Sequence, residues 1–141
     1  MDDAALIEAS LHQIAARLGD PTALVYARLF AEFPELEALF IGDKLGTVRG
    51  NMLQTTLECL LDHAGPRAYA HHFVGSERVN HAGVGVAPEM FDRFYATVIA
   101  TFRDALGADW SAQTDAAWTR AARSLTESAR EQGKTADWLG R

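Results

Sequence analysis

Apolar residues recur along the chain with the period of helices. Ile7, Leu11, Ile14 and Leu18 form one stripe, which Gly19 interrupts, and Asp20-Pro21 supplies a cap and a first-turn proline for a second helix carrying Tyr26, Phe30 and Phe33. Pro34 ends that helix, because proline lacks a backbone donor and restricts the residue before it. Glu35–Phe40 reads as a short helical turn and 41–46 as a loop. Thr47 is placed to cap a third long helix, in which Leu53, Leu57 and Leu60 share a face and Gly65-Pro66 mark the end. The spacing predicts a further helix from Pro66 to about His81, with Gly83 and Gly85 closing it. Pro88 then opens a long amphipathic helix through Phe91, Phe94, Tyr95, Val98 and Phe102 to Gly107, and a last helix runs from about Ser111 to Gly133. No alternating run of β-branched residues requires a strand, so the chain is read as all-α, with a domain over 1–133 and a loose tail over 134–141.

Composition narrows the partners. The formal net charge of −6 and the lack of a Lys/Arg block argue against nucleic acid or an anionic membrane as the main partner. No apolar run is long enough to span a bilayer, and the Met-Asp-Asp-Ala start lacks the basic and apolar regions of a secretion signal, so the expectation is a cytoplasmic protein acting on small ligands. The single cysteine, Cys59, excludes an internal disulfide or a cysteine-based zinc site, and its leucine neighbours predict a buried apolar role.

The chemistry-bearing residues are few. There is no glycine-rich phosphate loop, no Gly-x-Ser-x-Gly and no His-Glu-x-x-His, which leaves a hydrolase unsupported. Histidines stand at 12, 63, 71, 72 and 81. His71 and His72 point about 100° apart on a helix and do not share a metal easily. Taken alone, His81 stands at a helix C-terminus, where a cation would meet the negative end of the dipole, and reads as an ordinary surface or capping residue.

Its neighbours change that reading. Asn80-His81-Ala82-Gly83-Val84-Gly85-Val86-Ala87-Pro88-Glu89-Met90-Phe91 resembles the proximal haem segment of flavohaemoglobins and related bacterial single-domain globins. A second segment, Tyr26-Ala27-Arg28-Leu29-Phe30 through Pro34-Glu35-Leu36 to Phe40, resembles the second helix and corner of the same family, and the likeness extends to Trp118. The resemblance implies a globin fold of about seven helices around a b-type haem (iron protoporphyrin IX), with His81 as the iron ligand.

A histidine at a helix end can offer one ring nitrogen to iron while the other donates to the carbonyl of Glu77, one turn back. Gly83 and Gly85 would let the chain turn past the porphyrin, with Val86 packed on its face. In the family pattern Phe40 wedges the macrocycle and Tyr26 faces the gas, where a phenol can donate to a partly negative ligand. Matching Leu53 to the apolar position over the iron puts Arg49 where the family usually carries a glutamine. The alternative register puts Gly50 there and Met52 above the iron. Arg49 has three readings: donor to the ligand, partner of a haem propionate, or solvent-facing cation. Phe91 stands where flavohaemoglobins carry a tyrosine, and near Gly133, where a glutamate is expected, only Glu131 is close. The proximal push is therefore expected to be weak, favouring ligand binding over O–O cleavage.

The resemblance thus implies reversible binding of O2, NO or CO, for oxygen transport, storage or gas sensing. Nitric oxide dioxygenation with a separate reductase and a haem-free signalling module are the alternatives, and a homodimer or a signalling or reductase partner stays open.

Overall fold

The computed structural model describes residues 2–65 and 70–138. Among them there is no strand, and six α-helices follow one another: α1 (Asp3–Leu18), α2 (Thr22–Glu32), α3 (Thr47–Ala64), α4 (Ala70–Gly83), α5 (Pro88–Leu106) and α6 (Ala112–Trp138). A short 3-10 helix, Pro34–Phe40, joins α2 to the corner before α3, and a second, Gly107–Asp109, joins α5 to α6. No helix of the described residues is long and apolar enough to cross a membrane.

The helix ends follow from local chemistry. Asp2 caps α1 by accepting from the Ala5 N–H at 2.8 Å, and Gly19 closes it with φ +68°, a conformation that L side chains rarely adopt. Asp20 accepts from the Thr22 N–H at 2.9 Å at the start of α2. The start of α3 corrects the sequence expectation. Thr47 is already helical, and the residue before it is Gly46, which has no side chain to cap with. The cap comes instead from Asp43, whose carboxylate accepts from the N–H groups of Val48 (3.1 Å) and Arg49 (3.0 Å). A tight turn, with the Gly46 N–H on the Asp43 carbonyl at 3.1 Å, brings that side chain beneath the helix.

Pro66, the expected start of the fourth helix, lies outside the described residues. At the other end of the chain, α6 continues through Gly133 to Trp138 rather than stopping there. An interior glycine costs a helix only about 1 kcal/mol relative to alanine, which by itself does not end one.

The core lies where α1, α3, α5 and α6 meet. Trp118 is fully buried against Phe102, their rings edge-on with centroids 5.6 Å apart. Its indole N–H donates to the Ser10 hydroxyl at 2.9 Å, and that hydroxyl donates in turn to the Ile7 carbonyl at 2.7 Å. The two hydrogen bonds let α1 and α6 approach without leaving a buried donor bare. On the other side of α3 and α5 the packing opens, and α2, the first 3-10 helix and α4 close around a cavity.

Candidate functional site

The cavity holds about 670 Å³, within the range of sites that enclose a sizeable organic ligand. Its walls are mostly apolar: Leu29, Leu36, Phe40, Met52, Phe91 and Phe94 are among them. Among the polar side chains that line it are an imidazole from α4 and a phenol from α2.

His81 closes the last turns of α4. Its Nδ1 lies 2.7 Å from the Glu77 carbonyl oxygen, which can only accept, so Nδ1–H donates and the lone pair of the neutral ring lies on Nε2. The Glu77 carboxylate is farther from Nδ1, at 3.6 Å. The ring rests beside Phe91, centroid to centroid 4.9 Å. Beyond His81 the chain reverses on that residue's own carbonyl, which accepts from the N–H groups of Val84 (3.1 Å) and Val86 (2.9 Å). Gly85 makes the reversal with φ +96°, whereas Gly83 is still helical. Val84 and Val86 are thereby turned into the cavity wall.

Tyr26 is 1% exposed, and its hydroxyl is buried without a hydrogen-bond partner. Three rings hold it: Phe30 at 5.7 Å, Phe40 at 5.5 Å and Phe94 at 5.5 Å between centroids. Burial pushes the phenol well above its ordinary range; Arg49 partly opposes this and Asp43 adds to it, so the group stays a neutral donor. An orphaned buried hydroxyl is costly, and one that lines a cavity is satisfied only when something there accepts its hydrogen bond.

Of the residues singled out from sequence, His81, Tyr26, Phe40, Val86 and Phe91 line this one cavity. Leu53 and Arg49 do not. Leu53 is 2% exposed within the hydrophobic core, and the α3 wall of the cavity is built by Val48, Met52, Thr55 and Cys59, with Asn51 and Thr56 beside them. These four recur at helical spacing and form a second stripe, about 100° around the helix from Leu53, Leu57 and Leu60. Met52, named in the alternative register, therefore faces the cavity where Leu53 does not, and the residue one turn before it is the apolar Val48.

Arg49 faces a smaller pocket of about 320 Å³ behind Tyr26 and Phe40. There its Nε lies 3.1 Å from Oδ2 of Asp43 and its Nη2 lies 2.7 Å from the Asp43 carbonyl oxygen. Arg49 is thus paired with a neighbouring carboxylate, a contact that none of its three readings named.

Sequence reasoning missed several wall residues. The Val48–Met52–Thr55–Cys59 stripe has a helical period, but its threonine and cysteine make it look less apolar than the leucine stripe. Cys59 is buried as expected, and burial, with Asp62 and Glu58 adding, raises its thiol to about 11, so it behaves as an inert apolar wall. Tyr95, read only as part of an amphipathic face, also lines the cavity, and its phenol is raised chiefly by burial. Among the described residues no group of three or more His, Cys, Asp or Glu side chains could hold a metal ion. A metal here would need ligands from a cofactor besides the single imidazole.

Comparison with known proteins agrees with this arrangement. The globin family model matches residues 23–128, from the start of α2 well into α6, a span that contains every wall of the cavity. No curated protein matches the chain.

Proposed function

Because the chain belongs to the globin family, we propose that it is a haem protein that reversibly binds oxygen or another diatomic gas. The observation that carries this is one apolar cavity lined both by an imidazole with a free Nε2, His81, and by a buried hydroxyl with no partner, Tyr26. The residues fit the group: an apolar slot for the macrocycle, one imidazole for iron, and a donor for a polar ligand. The haem is of b type on this reading, since a chain with one cysteine cannot form the usual pair of thioether attachments.

Bound haem supplies the iron at which a gas ligand is held. The protein's own residues do the rest. The Glu77 carbonyl holds the Nδ1 proton of His81, so that in the neutral ring the Nε2 lone pair is the one available to iron. Phe91 rests against that ring, and Val86 lines the same cavity. Tyr26, held by Phe30, Phe40 and Phe94, offers its O–H to a ligand that gains negative charge, and burial keeps it protonated for the purpose. With the apolar Val48 one turn before Met52, no second donor stands at that position of α3.

A carbonyl is a weaker acceptor than a carboxylate, and Phe91 offers no hydroxyl, so the imidazole is only mildly enriched in electron density. That favours binding over O–O bond cleavage. The likeness to flavohaemoglobins and bacterial single-domain globins makes storage, transport and sensing the roles within reach.

Absorption spectroscopy tests the reading. The wild-type protein takes up haem stoichiometrically and shows a Soret band that responds to CO, and His81→Ala loses normal ligation. Absence of a Soret band after reconstitution of the wild type would falsify the proposal and favour a haem-free module.

A further inference from the structure

By its own sequence α4 is a weak helix former with few apolar side chains. Gly75 and Ser76 stand in its middle, and glycine loses more backbone entropy in a helix than any other residue. Its apolar side chains anchor it little: Ala70 and Val74 are buried, but Phe73 is 40% and Val79 54% exposed. α4 packs chiefly on α6, with α3 and α5 beside it, but few of its own apolar side chains fix the rotation that sets where the His81 ring points.

A polar strap crosses the helix close to that ring. Arg78, three residues before His81, meets both carboxylate oxygens of Asp92 on α5, Nε to Oδ1 at 3.0 Å and Nη2 to Oδ2 at 3.2 Å. From α6, Arg130 reaches Oδ2 of the same carboxylate through Nε at 3.3 Å and Nη2 at 3.1 Å. The Asp92 side chain is 9% exposed and that of Arg78 18%, so solvent screens this pair less than a surface one. A bidentate guanidinium–carboxylate contact fixes direction as well as distance. Asp92 also follows Phe91, the residue whose ring abuts the His81 imidazole. The helix bearing the imidazole and the ring beside it are thus both referenced to one carboxylate.

We propose that Asp92 is a positioning residue for His81: clamped between Arg78 and Arg130, it fixes the rotation of α4 and so the angle at which Nε2 enters the cavity. The inference rests on the reading of His81 as the iron ligand. Removing the carboxylate would leave two guanidinium groups facing each other with no counter-charge, and α4 would sample a range of rotations.

Resonance Raman spectra of the haem-loaded, ferrous, ligand-free protein read this angle through the iron–histidine stretching band. In Asp92→Asn and Arg78→Gln the band shifts and broadens. Arg130→Gln changes it less, because the Arg78 fork survives, and Arg78→Lys, which keeps charge but loses the fork, falls between. Arg120→Gln is the control: it breaks a bidentate pair of similar geometry with Asp3 (2.9 and 2.8 Å), between α6 and α1, and leaves the band in place. In the haem-free protein, amide exchange across Ala70–Gly83 is faster by about tenfold or more in Asp92→Asn than in Arg120→Gln. A wild-type band in both Asp92→Asn and Arg78→Gln overturns the proposal. If Asp92→Asn does not fold, Arg78→Gln decides, since it leaves Asp92 paired with Arg130. A wild-type protein with no iron–histidine band defeats the ligand reading of His81 instead, and the exchange comparison then decides whether the strap orders α4.

Discussion

The rings of Tyr26 and Phe40 meet edge-on, with centroids 5.5 Å apart and planes inclined at 64°. That contact joins α2 to the end of the first 3-10 helix and holds the Tyr26 ring where its hydroxyl has no protein partner. Two effects of opposite sign are therefore expected from Tyr26→Phe. The ring and its packing persist, while the donor and its desolvation penalty are both removed.

In the haem-loaded protein the loss of a hydrogen bond to a partly charged acceptor is worth about 1.5–3 kcal/mol. Oxygen affinity should fall roughly 10–100-fold, mostly through faster dissociation. Carbon monoxide, which carries less charge on its outer atom, should respond much less. Flash photolysis and stopped-flow kinetics check this, and oxygen and carbon monoxide dissociation rates that both change by less than about threefold, or about 0.7 kcal/mol, would remove Tyr26 as the donor.

In the haem-free protein the same substitution should stabilise the fold by about 1 kcal/mol, because it deletes a buried hydroxyl that nothing satisfies. Urea denaturation of apo wild type and variant gives the comparison. A loss of stability would mean that the hydroxyl has a partner in solution.

Met52 and Leu53 are adjacent in sequence but serve different surfaces, one lining the cavity and the other 2% exposed in the core. Leu53→Ala should cost about 2–5 kcal/mol of stability, as large-to-small changes in a packed core do, and leave ligand kinetics nearly unchanged. Met52→Ala should cost less stability and alter the carbon monoxide association rate. The reverse pattern would place Leu53 over the ligand.

Ser10→Ala removes the acceptor of the Trp118 indole N–H and strands a donor in the core. A loss of about 1–3 kcal/mol is expected, seen as a lower melting temperature, with the haem spectrum unchanged because the site lies away from the cavity. A neutral result would mean that another acceptor reaches the indole.

Asp43 gives a pH dependence of definite sign. Burial pushes its carboxyl up, but the N–H groups of Arg49 and Val48 and the Arg49 guanidinium together outweigh this and hold it below the usual range. A group with a depressed folded-state value contributes stability that is complete above the unfolded value, about 3.9, and is lost as pH falls through the folded one. The amides of Val48 and Arg49 should therefore lose protection in that acid window, and Asp43→Asn should remove the dependence. Unchanged protection through the window would dismiss Asp43 as the cap.

Much of the architecture was legible along the chain because it is local. Gly19, Pro34, Pro88 and Gly107 stand at or beside the helix boundaries expected of them, and the reach from the His81 ring to the Glu77 carbonyl follows from the rise of one helical turn. Tyr26, Phe40, Val86, Phe91 and His81, the residues that the resemblance singles out, all line one cavity.

What the chain by itself determined, then, is its all-α class, the positions of its helices, and the aromatic and imidazole groups available for one cavity. The rotation of each helix against its neighbours was settled only by the tertiary structure. On α3 two stripes compete, and a change of one residue turns the helix by about 100°, so Met52 rather than Leu53 meets the cavity only because the leucine stripe is taken up by the core. Asp43 caps α3 through a turn that helical periodicity does not encode. Asp92 meets Arg78 and Arg130 only because α4, α5 and α6 converge. Local periodicity says which residues share a face, but the energy that chooses among faces comes from contacts between segments far apart in sequence.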